Sequence, residues 1–381
     1  MNALWNLGFR PLFIAAGAFA ALSIAVWVAQ FAGIAHGYEA IRGPLWHAHE
    51  MVFGYAFAVI VGFLFTSVRN WTERPTPTGL PLAAIVSLWV AARVLAATPW
   101  HAPAIALDVA FAVAAAVGIA RPLFASRNRR NYFFVALLLG LGAVNVAFYL
   151  AIDAVDALDA ARAVRLGLDL VLFTMVVMGG RVIPLFTANT VPDAKPRRVA
   201  AAELIALGSV LALFGADLLR APDGVVAAIA TIAALVHALR LALWRPWMVR
   251  TRPMLWILHA AYAWIVVHLA LRAFAAVGMT TMSSADHALT VGGIGALTLG
   301  MMTRVARGHT GRPLIASRAE TLAYALVLSA AAVRVVAPLL WPTHYAAAIV
   351  TAGALWVAAF ALFVVVFWPI VSRPRVDGRA G

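Results

Sequence analysis

WHAHEMVFGYAFAVIVGFLFT, residues 46–66, decides how the rest of the chain is read. After a polar opening, apolar residues continue for the length a helix needs to cross about 30 Å of hydrocarbon. The opening itself, His-x-His-Glu, stands where such a helix leaves the membrane surface. Working outward, similar apolar stretches recur along all 381 residues, separated by short loops carrying Pro, Gly and Arg. They predict spans at 12–33, 47–68, 81–97, 104–120, 132–152, 162–186, 200–219, 224–243, 254–275, 287–303, 319–337 and 344–370. The expected fold class is therefore an all-α integral membrane protein, a bundle of about twelve transmembrane helices. A single polytopic domain over residues 1–381 is expected, because no loop is long enough to hold a soluble one.

Composition agrees. Hydrophobic residues make up 64% and charged residues 12%, against about half and a quarter in soluble domains. The net charge of +14 does not indicate nucleic acid, because the bases are scattered between apolar spans and form no basic face. They sort by loop instead. Alternate loops and ends hold 20 Lys and Arg, from Arg10 through Arg69, Arg74 and the Arg121–Arg130 cluster to Arg379. The other loops hold 2, Arg42 and Arg220, beside Glu39, Asp153, Asp156, Asp159, Asp223 and Asp286. Positive loops stay inside, so both termini are expected in the cytoplasm. The N-terminus carries no charged region followed by a cleavage site, so its first apolar run reads as a retained span. With 0 cysteines, disulfides, thiolate metal sites and covalently attached c-type haem are excluded. Any copper must use imidazole, thioether or carboxylate ligands.

Two spans carry small residues at every fourth position: Gly54, Ala58 and Gly62 after Glu50, and Ala288, Gly292, Ala296 and Gly300 in the tenth. Such stripes let backbones approach closely, which predicts that these two helices are central. Trp5, Trp46, Trp71, Trp100, Trp244 and Trp341 lie near span ends and are expected as interfacial anchors. No internal repeat supports an inverted-repeat transporter.

The ten histidines are many for a membrane chain, where ionisable groups are costly and tend to be functional. On the outer side fall His47 and His49, His287, His36, His101, His268 and His344; nearer the cytoplasm fall His237, His259 and His309. Two depths suggest two sites. His47 and Glu50 share a helix face, whereas His47 and His49 are roughly opposite on a regular helix. Both imidazoles could serve one metal only if the helix begins between them; otherwise they take different roles, and a hydrated cap reads the motif equally well. Glu50 needs a partner or a proton, and a histidine one turn away suits a metal's outer shell or a proton relay. His259, with Tyr262 one turn on, is either a ligand or a hydrogen-bonded core residue. His268, with Arg272 on its side, reads as structural, and His237 with Arg240 as snorkelling. Arg181, late in span six, either snorkels or pairs a haem propionate or buried carboxylate with its donor fork. Pro184 would loosen the helix after it. Asp108 and Asp169 are further intramembrane acids, and Met175, Met178, Met301 and Met302 further soft donors on which nothing is rested.

LGFRPLF at 7–13, WHAHEM at 46–51, NWT at 70–72, GGRVIPLFT at 179–187, LWILHAAYAW at 255–264, HALTVGGIGALTLGMMTR at 287–304 and GHTGRP at 308–313 together resemble the NnrS family. The resemblance runs in order over most of the chain. It implies a twelve-span protein of the bacterial inner membrane, holding non-covalent b-type haem and copper, in the nitric-oxide response and defence against nitrosative stress. Carried over by position, the implied site residues are His47, His49, Glu50, Arg181, His259, His287 and His309. His36, His101, His268 and His344 fall outside the motif segments.

Two functions follow as expectations. In the first, the chain handles nitric oxide or a metal-nitrosyl species at histidine-held centres and acts as a haem-copper oxidoreductase. His49, His259 and His287 bind the cofactor together with Arg181. His47, His49, His259, His287 and His309 supply metal ligands, and Glu50 and Arg181 serve catalysis. His49 pairs with His287, and His259 with His309 and His237. A quinol or another membrane electron donor fits such a role, although no residue designates one. In the second, the chain is a transporter or sensor for a metal or nitrosylated iron species, without turnover. Lipid is the surrounding partner in both.

Overall fold

The structure, a computed structural model, describes residues 3–35 and 43–379. His36, Glu39 and Arg42 lie outside the described residues. Among the described residues there is no strand, and twelve helices are long and apolar enough to cross a membrane. In chain order they are α1 (Phe9–Phe31), α2 (Gly43–Thr72), α3 (Gly79–Ala96), α4 (His101–Ala125), α5 (Arg129–Asp153) and α6 (Ala157–Thr190). They continue with α7 (Ala200–Leu218), α8 (Asp223–Leu243), α9 (Pro253–Ala276), α10 (Met282–His309), α11 (Arg318–Leu340) and α12 (Pro342–Val371). Each coincides with one expected span. The helical fold is what hydrocarbon demands, since a helix satisfies its backbone groups within itself. Large apolar side chains such as Leu204 (74% exposed), Leu235 (68%) and Val365 (71%) face outward, as a lipid-contacting surface requires.

Two compact units share the chain: Met1–Leu170 with Val305–Pro313 and Val364–Gly381, and Val171–Arg304 with Leu314–Phe363. In the first unit α2 is the packing axis. Its span window is 89% buried, the highest in the chain, and that of α10 follows at 72%. The small-residue stripes explain both. A Cβ on Gly62 would press on Leu12 and Phe13 of α1 at 3.0–3.1 Å, and one on Gly54 would meet Phe19 at 2.8 Å. In the second unit Gly292 lies against Trp264 of α9, Gly300 against Ile257 and Gly295 against Trp356 of α12.

The same two helices share a second peculiarity. In α2 an α-helical turn ends on His49 and a π-helical segment follows over Glu50–Ala56. In α10 the α-helical turn ends on His287 and a π-helical segment follows over Ala288–Gly295. A π turn inserts a residue into the ladder and loosens it, and such turns concentrate at functional sites. Each one here directly follows a histidine.

The first unit is closed by its C-terminal tail. Arg10, fully buried, donates from Nη1 to the carbonyls of Val371 (2.7 Å) and Arg373 (2.8 Å). Arg375 donates from Nη1 to the carbonyl of His309 (2.9 Å), and Val376 N to that of Thr310 (3.2 Å). Gly311, at φ +76°, lies against the carboxylate of Asp377. Arg10 is thus structural as well as a topology signal. Of the expected interfacial tryptophans, Trp100 and Trp341 are exposed, but Trp244 is fully buried. It lies beneath the Arg240 guanidinium (5.1 Å) and against Tyr262 (4.5 Å), because a buried cation draws an aromatic face towards it.

Candidate functional site

In the first unit the chemistry gathers around Arg93, a residue that no motif in the sequence singles out. Its Nη1 donates to both oxygens of Glu50 (2.8 and 3.0 Å) and its Nη2 to Asp108. Glu50 also accepts from His49 Nδ1 at 2.8 Å. The other ring nitrogen, Nε2, lies 2.7 Å from Asn145 Oδ1, so both nitrogens of His49 are engaged. The His49 ring is boxed by Phe53, Phe148 and Tyr149 at centroid distances of 5.2, 4.6 and 4.9 Å. His49, Glu50, Arg93, Asp108 and Asn145 are all buried. Two carboxylates face one guanidinium, a buried polar network in which each charge has a partner.

Local structure explains how Glu50 gets there. Gly54, one turn on in the π-helical segment, leaves room for the carboxylate and for the Arg93 stem, which a Cβ would meet at 3.1 and 3.2 Å. Trp89 Nε1 donates to the Gly54 carbonyl at 3.0 Å, so α3 holds the loosened turn in place as well as supplying Arg93. The helix begins at Gly43, ahead of both imidazoles, so His47 and His49 take different directions. His47 stacks on Trp27 of α1 (5.2 Å, 5°). The histidine on Glu50 is its neighbour His49 and not His47 one turn back.

The second unit holds another buried network, around Arg240. Arg240 donates from Nε and Nη2 to the two oxygens of Glu203 (2.9 and 2.6 Å), and from Nη1 to the carbonyl of Val176 (3.0 Å) and to Tyr262 Oη (2.8 Å). His237 Nε2 lies 3.2 Å from the carbonyl of Ala206 and Nδ1 2.6 Å from Tyr262 Oη. A carbonyl only accepts, so Nε2 carries the proton and Nδ1 accepts from Tyr262. The direction of the chain is fixed: Arg240 to Tyr262 to His237 to Ala206. Both His237 nitrogens are engaged, and both residues are buried, which overturns the snorkelling reading. The cost of burying a cation is met by Glu203, which the sequence reading passed over. Gly180 of GGRVIPLFT is what admits the guanidinium, since a Cβ there would overlap it.

His259 lies within this unit with Thr187 Oγ1 2.9 Å from Nε2, while its Nδ1 is buried and has no hydrogen-bond partner. His287 is half-buried and donates from Nδ1 to the carbonyl of Ser283 at 2.7 Å, leaving Nε2 as the lone-pair atom. His268 donates from Nδ1 to the carbonyl of Ala285 (2.8 Å) and Arg272 pairs with Asp217, the structural roles expected of them. Arg181 is half-buried and Pro184 is carried inside the helix. His309, in the first unit, is the last residue of α10, its ring 5.7 Å from that of Phe9.

These residues meet the donor chemistry that haem and copper require to different degrees. Ligating histidines usually have the other ring N–H fixed by a carboxylate or carbonyl. His49 meets that condition through Glu50 and His287 through Ser283, but a metal on His49 Nε2 would have to displace Asn145 Oδ1. His259 offers the orphaned Nδ1. Among the described residues no three of His, Asp and Glu gather into a group that could hold a metal. Of the expected inner group, His237 is spent on Tyr262 and Ala206; His259 lies in the second unit and His309 in the first.

A family model described as NnrS protein matches residues 3–375 of the chain. No curated protein matches it.

Proposed function

The chain belongs to the NnrS family, and on that footing we propose that it is a haem- and copper-holding protein of the bacterial inner membrane acting in the nitric-oxide response. The observation that carries the reading is the pair of buried helices in which a histidine with an oriented ring directly precedes a π-helical segment. Bound haem iron supplies a site for nitric oxide and a one-electron couple. The chain's own part is to aim and to insulate. Glu50, clamped by Arg93, accepts from His49 Nδ1, and Asn145 Oδ1 at Nε2 completes the hold that orients the ring. Phe53 and Phe148 pack against that ring and shield it, and Tyr149 meets it edge-on. Arg181 is suited to a propionate, and His47, His259 and His309 are further candidate ligands.

The test is an absorption spectrum with metal analysis on the purified chain and on His49→Ala, His259→Ala and His287→Ala. Retained haem with a Soret band, lost or shifted in at least one of these variants, supports the reading. A chain that folds and carries neither haem nor copper sinks it.

The π-helical segments also favour a second reading, a transporter or sensor without turnover, since locally unwound helices build substrate sites in membrane carriers. Stoichiometry separates the two: tightly held haem supports the first reading, weakly exchanging metal the second.

A further inference from the structure

Beside the Arg93 network, Arg93 Nε and His101 Nε2 are buried without a hydrogen-bond partner, and Asp108 Oδ2 and Tyr149 Oη have none beyond their contact with each other. They belong together. His101, Ala104 and Asp108 follow one another at spacings of three and four on a single face of α4. The Tyr149 ring of α5 lies 5.9 Å from that of His101, and its hydroxyl is within hydrogen-bond reach of Asp108 and electrostatic reach of Arg93 and Glu50. At the other end, His101 donates from Nδ1 to Asp153 at 2.6 Å, and the Asp153 side chain is 49% exposed. The series therefore begins at solvent and ends on the guanidinium that clamps Glu50.

An unsatisfied buried donor or acceptor costs about 1–3 kcal/mol. Two wholly unpaired atoms, Arg93 Nε and His101 Nε2, on either side of a Tyr149–Asp108 contact that leaves lone pairs unused, call for a common partner. Water is the partner that fits, because it both donates and accepts and is stable where two to four polar groups converge. The mix suits it, with a donor on Arg93, lone pairs on Asp108 and Tyr149 Oη, and a ring nitrogen on His101.

We propose that ordered water lies between His101 and the Tyr149–Asp108 pair and beside Arg93 Nε, forming a solvent inlet that leads from Asp153 to the Arg93–Glu50 pair. The inlet gives water and its protons access to a network otherwise sealed by Phe53, Phe148 and Trp89. It stands on the polar side chains alone and holds whether or not a metal is bound.

Because the chain has no cysteine, single-cysteine variants of the full-length protein report access cleanly. Ala104 is fully buried on the inlet face, and Ala115 is fully buried on the same face beyond Asp108. With a small charged methanethiosulfonate reagent, Ala104→Cys and Tyr149→Cys are expected to react about tenfold or more faster than Ala115→Cys, since reactivity follows thiolate exposure. Asp153→Cys marks full access. Ala104→Cys and Tyr149→Cys both as slow as Ala115→Cys, with Asp153→Cys reactive, overturns the proposal. Radiolytic hydroxyl-radical footprinting decides on the unaltered chain should the variants not fold. Tyr149 is expected to oxidise well ahead of Tyr55 and Tyr324, which are equally buried; equal protection of all three overturns the inlet.

Discussion

A single nitrogen of Arg93 reaches both oxygens of Glu50, at 2.8 and 3.0 Å, with the two side chains 4% and 1% exposed. Removing one partner of such a pair strands a charge where water cannot compensate, at a cost of about 3–5 kcal/mol. Arg93→Leu is therefore expected to lower the unfolding midpoint markedly, and the double variant Arg93→Leu/Glu50→Leu to recover part of the loss. Unfolding in detergent measures both. A double variant as unstable as the sum of its singles would show that the pair is not coupled.

Gly180 makes a second prediction. Its missing Cβ is what lets the Arg240 guanidinium sit beside α6, so Gly180→Ala should displace Arg240 from Glu203 and destabilise the chain well beyond the ordinary effect of a glycine. Gly208, with nothing within 4 Å, is the matched control. There Gly→Ala in a helix should be neutral or stabilising by up to about 1 kcal/mol. Thermal unfolding of the two variants compares them directly.

Tyr262 links Arg240 to His237, so Tyr262→Phe leaves an imidazole acceptor and a guanidinium donor without their shared hydroxyl. A loss of about 1–3 kcal/mol is expected. His237→Gln in the same background should then cost less than it does alone, and a thermodynamic cycle reads the coupling.

The tail clasp should respond to acid. Arg375 donates to Asp377 and holds its carboxylate down at about 2, against an ordinary value of 3.8. A carboxylate depressed on folding stabilises fully above its ordinary value and loses that contribution as the pH falls towards the depressed one. Tail release, followed by limited proteolysis after residue 371, should therefore set in only below about pH 4 and be complete near 2. Asp377→Asn should release the tail more readily at neutral pH and abolish that acid step.

Much of this architecture was legible in the sequence. Twelve spans follow from apolar length, and the centrality of α2 and α10 from the stripes at Gly54–Gly62 and Gly292–Gly300, because both properties are local. The buried networks were not legible. Arg93 meets Glu50 across 43 residues and Asp108 across 15, and Arg240 meets Glu203 across 37; periodicity carries no such information. One signal was available. An arginine within an apolar span pairs with a carboxylate unless it snorkels, and Arg93 and Arg240, each in the last turn of its helix, were candidates on that ground. The tryptophan rule failed at Trp244 for the same reason, since a buried cation claimed the ring.

The bond between Arg10 and the carbonyls of Val371 and Arg373 has a consequence for biogenesis. Leu170 and Val371 are about 200 residues apart in synthesis, on the order of 10–40 s of translation. Throughout that interval the nascent first half is in the bilayer without its last structural pieces, while the whole second unit is still being inserted. Completion of the first unit thus waits on synthesis of the second, and a ribosome stalled before Arg373 leaves Arg10 without those two carbonyls, a lesion open to membrane quality control.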